Sequence, residues 1–334
     1  MKEPAAFQGS PREESQAVAP TGLQANSETT PPRREKRRSF LPANGKARAG
    51  LGIIGFFVLI ALIGPLAVHT DPNAFSNDIL MPPSGTHWLG TTQTGQDVFA
   101  QVWLGTRNSV FWGFLTGLIV TAISVVVGLV AGYMGGIVDD VLSFLINVFL
   151  VLPGFPLAVL LAAYVPVKGP LTVALVITIT SWAFQARVLR SQTLSMRHRD
   201  FVEAARSSGE SLWRILFFEI FPNEVAIVAA GFVGTAIYVI LTAASLEFLG
   251  LGDATTVDWG TMFYWAGNND ALLLGAWWWF LAPGLCIAVL GAGLALLNFG
   301  IDEIANPRLK NETVIKRLAS RWSFLNPRKL LRAS

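Results

Sequence analysis

The stretch "FVEAARSSGESLWRILFFEIFPN", residues 201–223, is charged and helix-prone, and long apolar runs flank it on both sides. Arg199 and Glu203 stand four residues apart, as do Arg206 and Glu210, and Glu210 and Arg214. Such pairs meet on one face of a helix and contribute about 0.2–0.5 kcal/mol each. Phe201, Ala205, Leu212, Ile215 and Leu216 form the apolar counter-face. Gly209 interrupts the pattern and suits the left-handed residue that ends one helix and turns the chain into another. Pro222 is expected to stop the second helix, and Asn223 to cap the apolar run that follows. The segment therefore reads as two short helices with a bend, joined rigidly to the runs on either side. That is a docking element for a partner, or else an amphipathic loop lying on lipid.

The flanking runs set the class. Only 14% of the 334 residues are charged and 52% are hydrophobic, whereas a soluble domain carries about 25% charged residues. A spanning helix needs about 20 mainly apolar residues. Six stretches meet that need, near residues 51–68, 110–133, 141–165, 171–189, 225–246 and 277–299. The fold class is thus an all-α polytopic membrane protein with six transmembrane helices. The third stretch contains "VLPGFP", and Pro153, Gly154 and Pro156 are expected to kink it. Residues 1–49 differ in kind: rich in Pro, Ser, Glu and Arg, they cannot bury enough apolar surface to order themselves. They form an expected disordered basic tail. No apolar core follows the start, so they do not read as a signal peptide.

Charge sets the direction. Of the 25 Lys and Arg, all but Arg107 and Lys168 fall in three clusters: the tail 1–49, the segment from Arg187 to Arg214, and the segment from Arg308 to Arg332. With six spans, one side of the membrane receives all three, which puts both termini and the 201–223 stretch in the cytoplasm. The "RREKRR" cluster, Arg33 to Arg38, holds the tail inside or binds anionic lipid. Residues 309–334 form a second basic tail. The outer loops are expected at 69–109, 166–170 and 247–276, with Asp71, Asp78, Asp97, Asp253, Asp258 and Asp270 as their acids. "WWW", Trp277 to Trp279, reads as an aromatic belt at the outer interface, the alternative being a stacking platform for cargo.

Gly113 and Gly117, then Gly128, Gly132 and Gly136, stand four apart and form a helix face open to close packing, or hinges in a moving helix. Asp139, Asp140 and Glu247 fall at span ends, and Asn147 and Asn298 are polar positions within spans. No ionisable residue is expected at mid-depth, where it would be a functional candidate. This weighs against an ion-coupled secondary transporter or a channel. The single cysteine, Cys286, and three scattered histidines offer no disulfide, metal or nucleophile constellation, so an enzyme is not indicated.

The residues then carry a resemblance. "EAARSSG", Glu203 to Gly209, with "IFPN", Ile220 to Asn223, resembles the EAA loop of permease subunits of ATP-binding-cassette importers. Glu203, Ala204, Ala205, Gly209 and Pro222 fall in register. Phe221 stands where Leu is usual, and Ile220 sits one place late, as in the dipeptide/oligopeptide/nickel permease branch. "HWLGTTQTGQDVFAQVWLGTRNSV" (87–110), "AGYMGGIVDD", "SLEFLGLG" with "DWGTMF", and "NPRL" (306–309) are similar to that branch too. Thr92 and Gln96 replace its usual Asp and Arg. The resemblance covers about residues 50 to 310.

It implies a type I importer (MetI-like) permease fold over residues 50–308, in a bacterial or archaeal cytoplasmic membrane, with residues 198–223 as the coupling loop. Phe201, Glu203, Ala204, Ala205, Arg206, Gly209, Leu212, Ile220 and Pro222 are the expected ATPase-coupling residues. Implied partners are a homologous second permease, two ATPase subunits, an extracytoplasmic binding protein and the lipid bilayer, with no nucleic acid. The chain has no G-x-x-x-x-G-K-[ST] phosphate loop. No cofactor is expected here, ATP and magnesium being used by the ATPase partners. Di- and oligopeptides are the expected cargo; oligosaccharides and nickel chelates stay open.

Overall fold

The computed structural model describes residues 45–67 and 71–305. Most of the expected N-terminal tail, the C-terminal tail and the 306–309 match lie outside the described residues. Within them the chain forms α1 (Gly45–Ala67), α2 (Val98–Met134), α3 (Gly136–Val151), α4 (Gly154–Tyr164), α5 (Pro170–Met196), α6 (Asp200–Ser207), α7 (Leu212–Arg214), a π-helical turn (Ile215–Ile220), α8 (Phe221–Phe248), α9 (Trp259–Asn268) and α10 (Trp277–Ala305). Five helices are long and apolar enough to cross a membrane, and α3 with α4 makes a sixth span bent by 88°. The expected kink at "VLPGFP" is therefore a right-angle break. Leu152 and Pro153 are both extended, with ψ 132° and 108°, because a residue before proline is driven out of helical conformation and proline itself has no N–H to continue the ladder.

Three boundaries differ from expectation. α1 starts at Gly45, inside the expected disordered tail, because Ala47 is fully buried and a side chain at Gly300 would collide with it. Gly50 lies directly against the backbone of Gly293 and Leu297, so α1 and α10 touch backbone to backbone. α2 starts at Val98, not near 110. Asp97 caps it by accepting from the Ala100 N–H at 2.9 Å. The polar residues that end the apolar run are absorbed by the 249–258 loop and the first residue of α9: Asn108 Nδ2 donates to the Val257 carbonyl at 2.9 Å, and Trp259 N donates to Ser109 Oγ at 3.0 Å. Third, Pro222 does not stop a helix. Leu212–Phe248 runs as one 37-residue helix, with Pro222 in the first turn of α8. The π-turn shifts the bonding register, so that Phe221 N reaches Leu216 O, and a wider turn accommodates the missing proline donor. Asn223 caps nothing; its Nδ2 donates to the Glu219 carbonyl at 2.7 Å.

Close approach holds the bundle together, since lipid is as apolar as the helices and gives them little hydrophobic reason to associate. A Cβ at Gly128 would meet Leu189 Cβ at 2.7 Å, and one at Gly132 would meet Thr193 Cβ at 2.6 Å, so this half of α2 lies on α5. Gly113 and Gly117 face Ile240 and Ala236 on α8. Four of the five glycines are therefore packing positions. Gly136 is not: it faces open space and starts α3.

At the end of the bundle away from α6, residues 71–97 fold over the start of α10. Trp278 and Trp279 are buried there with Val98, Val102 and Met262, and Trp278 Nε1 donates to the Thr91 carbonyl at 3.1 Å. The expected belt reduces to Trp277, which is exposed; its two neighbours are claimed by the loop packed above them. Glu247 is at a span end, as expected. It lies in the last turn of α8, with its carboxylate against Gly260 of α9.

Candidate functional site

The 198–223 loop begins where α5 ends. Arg199 turns the chain with an extended backbone (ψ 148°) into α6. Gly209 has φ +76°, and Gly209 N bonds Arg206 O at 3.0 Å while Glu210 N bonds Ala205 O at 3.2 Å. This pair of bonds is the Schellman stop for which a left-handed glycine is suited, as its position in the sequence suggests. Ser211 (ψ 153°) then starts the helix that becomes α8.

α6 buries Val202 and Ala205, three apart, against Val125, Leu129 and Leu189 of the spans and Ile215, Leu216 and Ile220 of the following helix. The buried face differs from the sequence reading by one position: Val202 is inside, and Phe201 is 38% exposed. Among the nine expected coupling residues, Phe201, Glu203, Ala204, Arg206, Gly209 and Pro222 are exposed and Leu212 is half-buried. Ala205 and Ile220 are buried, so they cannot touch a partner directly; they seat the loop on α2 and α5. Two exposed aromatics beside them were not among the expected residues: Trp213, 56% exposed and stacked on Phe217 at 5.8 Å, and Phe218, 73% exposed. Large aromatics so close to the charged EAA stretch were the available signal.

Of the three Arg–Glu spacings, Glu210–Arg214 closes into an ion pair, at 3.2 Å. Arg206 instead lies over the ring of Tyr133, 5.4 Å from its centroid, tying α6 to the end of α2. Asp139, at the start of α3, accepts two hydrogen bonds from Arg190 of α5, at 2.6 and 2.8 Å, and a third from Ser143 Oγ at 2.8 Å. No ionisable residue is expected at the mid-depth of a span; Glu224, one residue before the fifth apolar stretch, is fully buried in the first turn of α8. Its Oε1 accepts from Thr193 Oγ1 at 2.9 Å, and its Oε2 has no partner among the described residues.

A second feature lies deeper in the bundle. A cavity of about 580 Å³ opens where the bent pair breaks, between Leu152, Gly154, Gln185, Gly231, Tyr238 and Asn298. Asn147 is exposed and takes no part in it. Among the described residues, no group of His, Cys, Asp and Glu could hold a metal ion.

A multi-pass helical bundle that presents a two-helix loop at one end, fixed to two of its spans, is the architecture of a membrane permease subunit. Residues 124–311 match the family described as binding-protein-dependent transport system inner membrane component. Over 275 residues the chain is 34% identical to the dipeptide transport system permease protein DppC of Bacillus subtilis (strain 168), covering 81% of this chain and 84% of that one. It is 31% identical over 273 residues to the oligopeptide transport system permease protein OppC of the same organism, covering 80% and 87%. With the glutathione transport system permease protein GsiD of Pectobacterium atrosepticum it shares 32% identity over 282 residues, covering 84% and 92%. The chain belongs to the family of binding-protein-dependent transport system inner membrane components. It is a multi-pass permease subunit of an ATP-binding-cassette importer in the cytoplasmic membrane, as the EAA resemblance implied.

Proposed function

We propose that this permease carries di- and oligopeptides inward, and that residues 198–223 are the surface on which a separate ATPase acts. The relatives named for dipeptides, oligopeptides and glutathione support the cargo. The observation that carries the coupling role is the mounting of the loop. Its exposed face (Phe201, Glu203, Ala204, Arg206, Gly209) lies on α6 and the Gly209 bend, between the end of α5 and the 37-residue helix 212–248, and Val202 and Ala205 seat α6 against both of those helices. At about 1.5 Å per residue, the second helix is a lever of about 55 Å, longer than a bilayer with its headgroups, about 40–45 Å. A push on Leu212 or Pro222 therefore moves α8 as a body, and α8 lines the cavity.

In this reading both termini and the loop face the cytoplasm, beside the ATPases. A homologous second permease completes the path, two ATPase subunits bind and hydrolyse magnesium-ATP, and an extracytoplasmic binding protein delivers cargo. This chain hydrolyses no ATP and holds no cofactor of its own.

The test is uptake into proteoliposomes holding this chain with its partner permease, ATPases and binding protein. Labelled tri-alanine should accumulate only with ATP. Accumulation of an oligosaccharide or a nickel chelate in place of peptide would overturn the cargo, and accumulation without ATP would overturn the coupling.

A further inference from the structure

The cavity at the broken span is lined by two residues that each carry one buried amide atom without a partner among the described residues. Gln185 is 6% exposed, and its Nε2 has no hydrogen-bond partner among the described residues; Asn298 Oδ1 has none either. Both residues line the same space. Buried polar atoms in native proteins are almost always paired, so two orphans at one cavity call for a ligand group. The surrounding backbone is shaped for Gln185: a Cβ at Gly231 would overlap its amide, and Gly231 lies on α8 directly opposite. The wall on the other side is the extended Leu152–Pro153 break, and irregular backbone at membrane depth is tolerated where it lines a cavity. The volume of about 580 Å³ falls in the range of small-ligand sites, about 300–1,000 Å³.

The chemistry selects among cargo groups. None of the residues lining the cavity is charged, so it offers nothing to pair with a peptide's termini or with a metal chelate. A terminal amide carries both donors and an acceptor, which is what a peptide unit needs, since each unit presents one N–H and one C=O. Phe149, Phe184 and Tyr238 supply apolar surface that any side chain could meet. Such a site reads the backbone shared by all peptides and is tolerant of their sequence.

We infer that this cavity is a peptide-backbone binding site on the transport path, with Gln185 and Asn298 as its hydrogen-bonding groups. The inference rests on the peptide reading above. The test uses the complete transporter in proteoliposomes. Ala-(p-benzoylphenylalanine)-Ala, irradiated during ATP-driven uptake, should attach to Phe149, Phe184 or Tyr238, and unlabelled tri-alanine should suppress the attachment. Gln185→Met and Asn298→Leu should each lower tri-alanine uptake at saturating loaded binding protein by about three- to tenfold, the range expected for one lost neutral hydrogen bond. If tri-alanine is taken up but the probe attaches elsewhere, the site is wrong and the peptide reading stands. Wild-type uptake by both variants would also overturn the site. If the unaltered transporter takes up no peptide, both fall together. Should a variant fail to assemble, the photoattachment arm, on the unaltered chain, still decides.

Discussion

Arg190 and Asp139 meet through two parallel hydrogen bonds, Nε to Oδ1 at 2.6 Å and Nη2 to Oδ2 at 2.8 Å, and this pair ties α5 to the first turn of α3. Both side chains are mostly shielded, 29% and 15% exposed, so solvent screens the pair only in part. Hydrogen bonds to charged groups contribute about 1.5–3 kcal/mol. Asp139→Asn should lower the unfolding midpoint of the detergent-purified transporter by that order of free energy. A double-mutant cycle with Arg190→Gln should recover a coupling energy above about 1 kcal/mol; additive losses would show the pair to be energetically idle.

At Gly209 the backbone holds φ +76°, and a Cβ would point into open space. A substitution there is penalised by conformation, not by collision, at about 1–2 kcal/mol for an ordinary residue. Gly209→Val should insert at normal levels and lose most ATP-driven uptake, whereas Gly209→Asn, whose side chain tolerates the left-handed region, should keep most of it. Equal uptake by the two variants would mean the bend has no part in coupling.

Glycines on α2 and α1 should behave oppositely. Gly132→Val would drive a side chain into Thr193 Cβ and the Arg190 carbonyl, at 2.6 and 2.8 Å from the first added carbon. Overpacking of this kind costs about 1–3 kcal/mol, and thermal unfolding of the purified protein should fall accordingly. Gly52 in α1 has nothing within 4 Å, so Gly52→Ala should be neutral or stabilising by up to about 1 kcal/mol.

His87 gives the 71–97 loop a dependence on pH. Its Nδ1 lies 2.8 Å from Asp97 and its Nε2 3.4 Å from Asp78. The hydrogen bond to Asp97, chiefly, raises its pKa above the ordinary 6.5. A raised pKa means that protonation favours the folded loop. The gain is complete below about 6.5, the unfolded value, and is lost as pH rises through the folded value. Amide exchange across residues 71–97 should therefore be slower, after correction for intrinsic rates, at pH 5.5 than at pH 8.5. His87→Asn should flatten that difference; an unchanged difference would assign it to another group.

Much of this molecule was legible along the chain. The six apolar stretches correspond to five long helices and one bent pair, because apolar length is a local property that the bilayer requires. Gly209 took the conformation its place between two helical patterns demands. The EAA stretch and the segments around it pointed to the family to which the chain belongs. Where local pattern misled, a contact across the bundle was responsible. Asn108 and Ser109 ended an apolar run but not a helix, because the 249–258 loop and the start of α9 satisfy them.

Other features had no local signature. Val202 rather than Phe201 turns inward because α2 and α5 offer the seat on that side. Trp278 and Trp279 leave the interface because residues 71–97 fold over them. Pro222 stays inside a helix because a π-turn widens the register ahead of it. Glu224 accepts a hydrogen bond from Thr193, 31 residues away, and Gln185 lines a cavity that exists only where a broken span, α5, α8 and α10 converge. Periodicity and composition act over a few turns and so dictate spans, bends and the loop. Which side chain is covered, paired or left without a partner depends on groups brought together from distant parts of the chain.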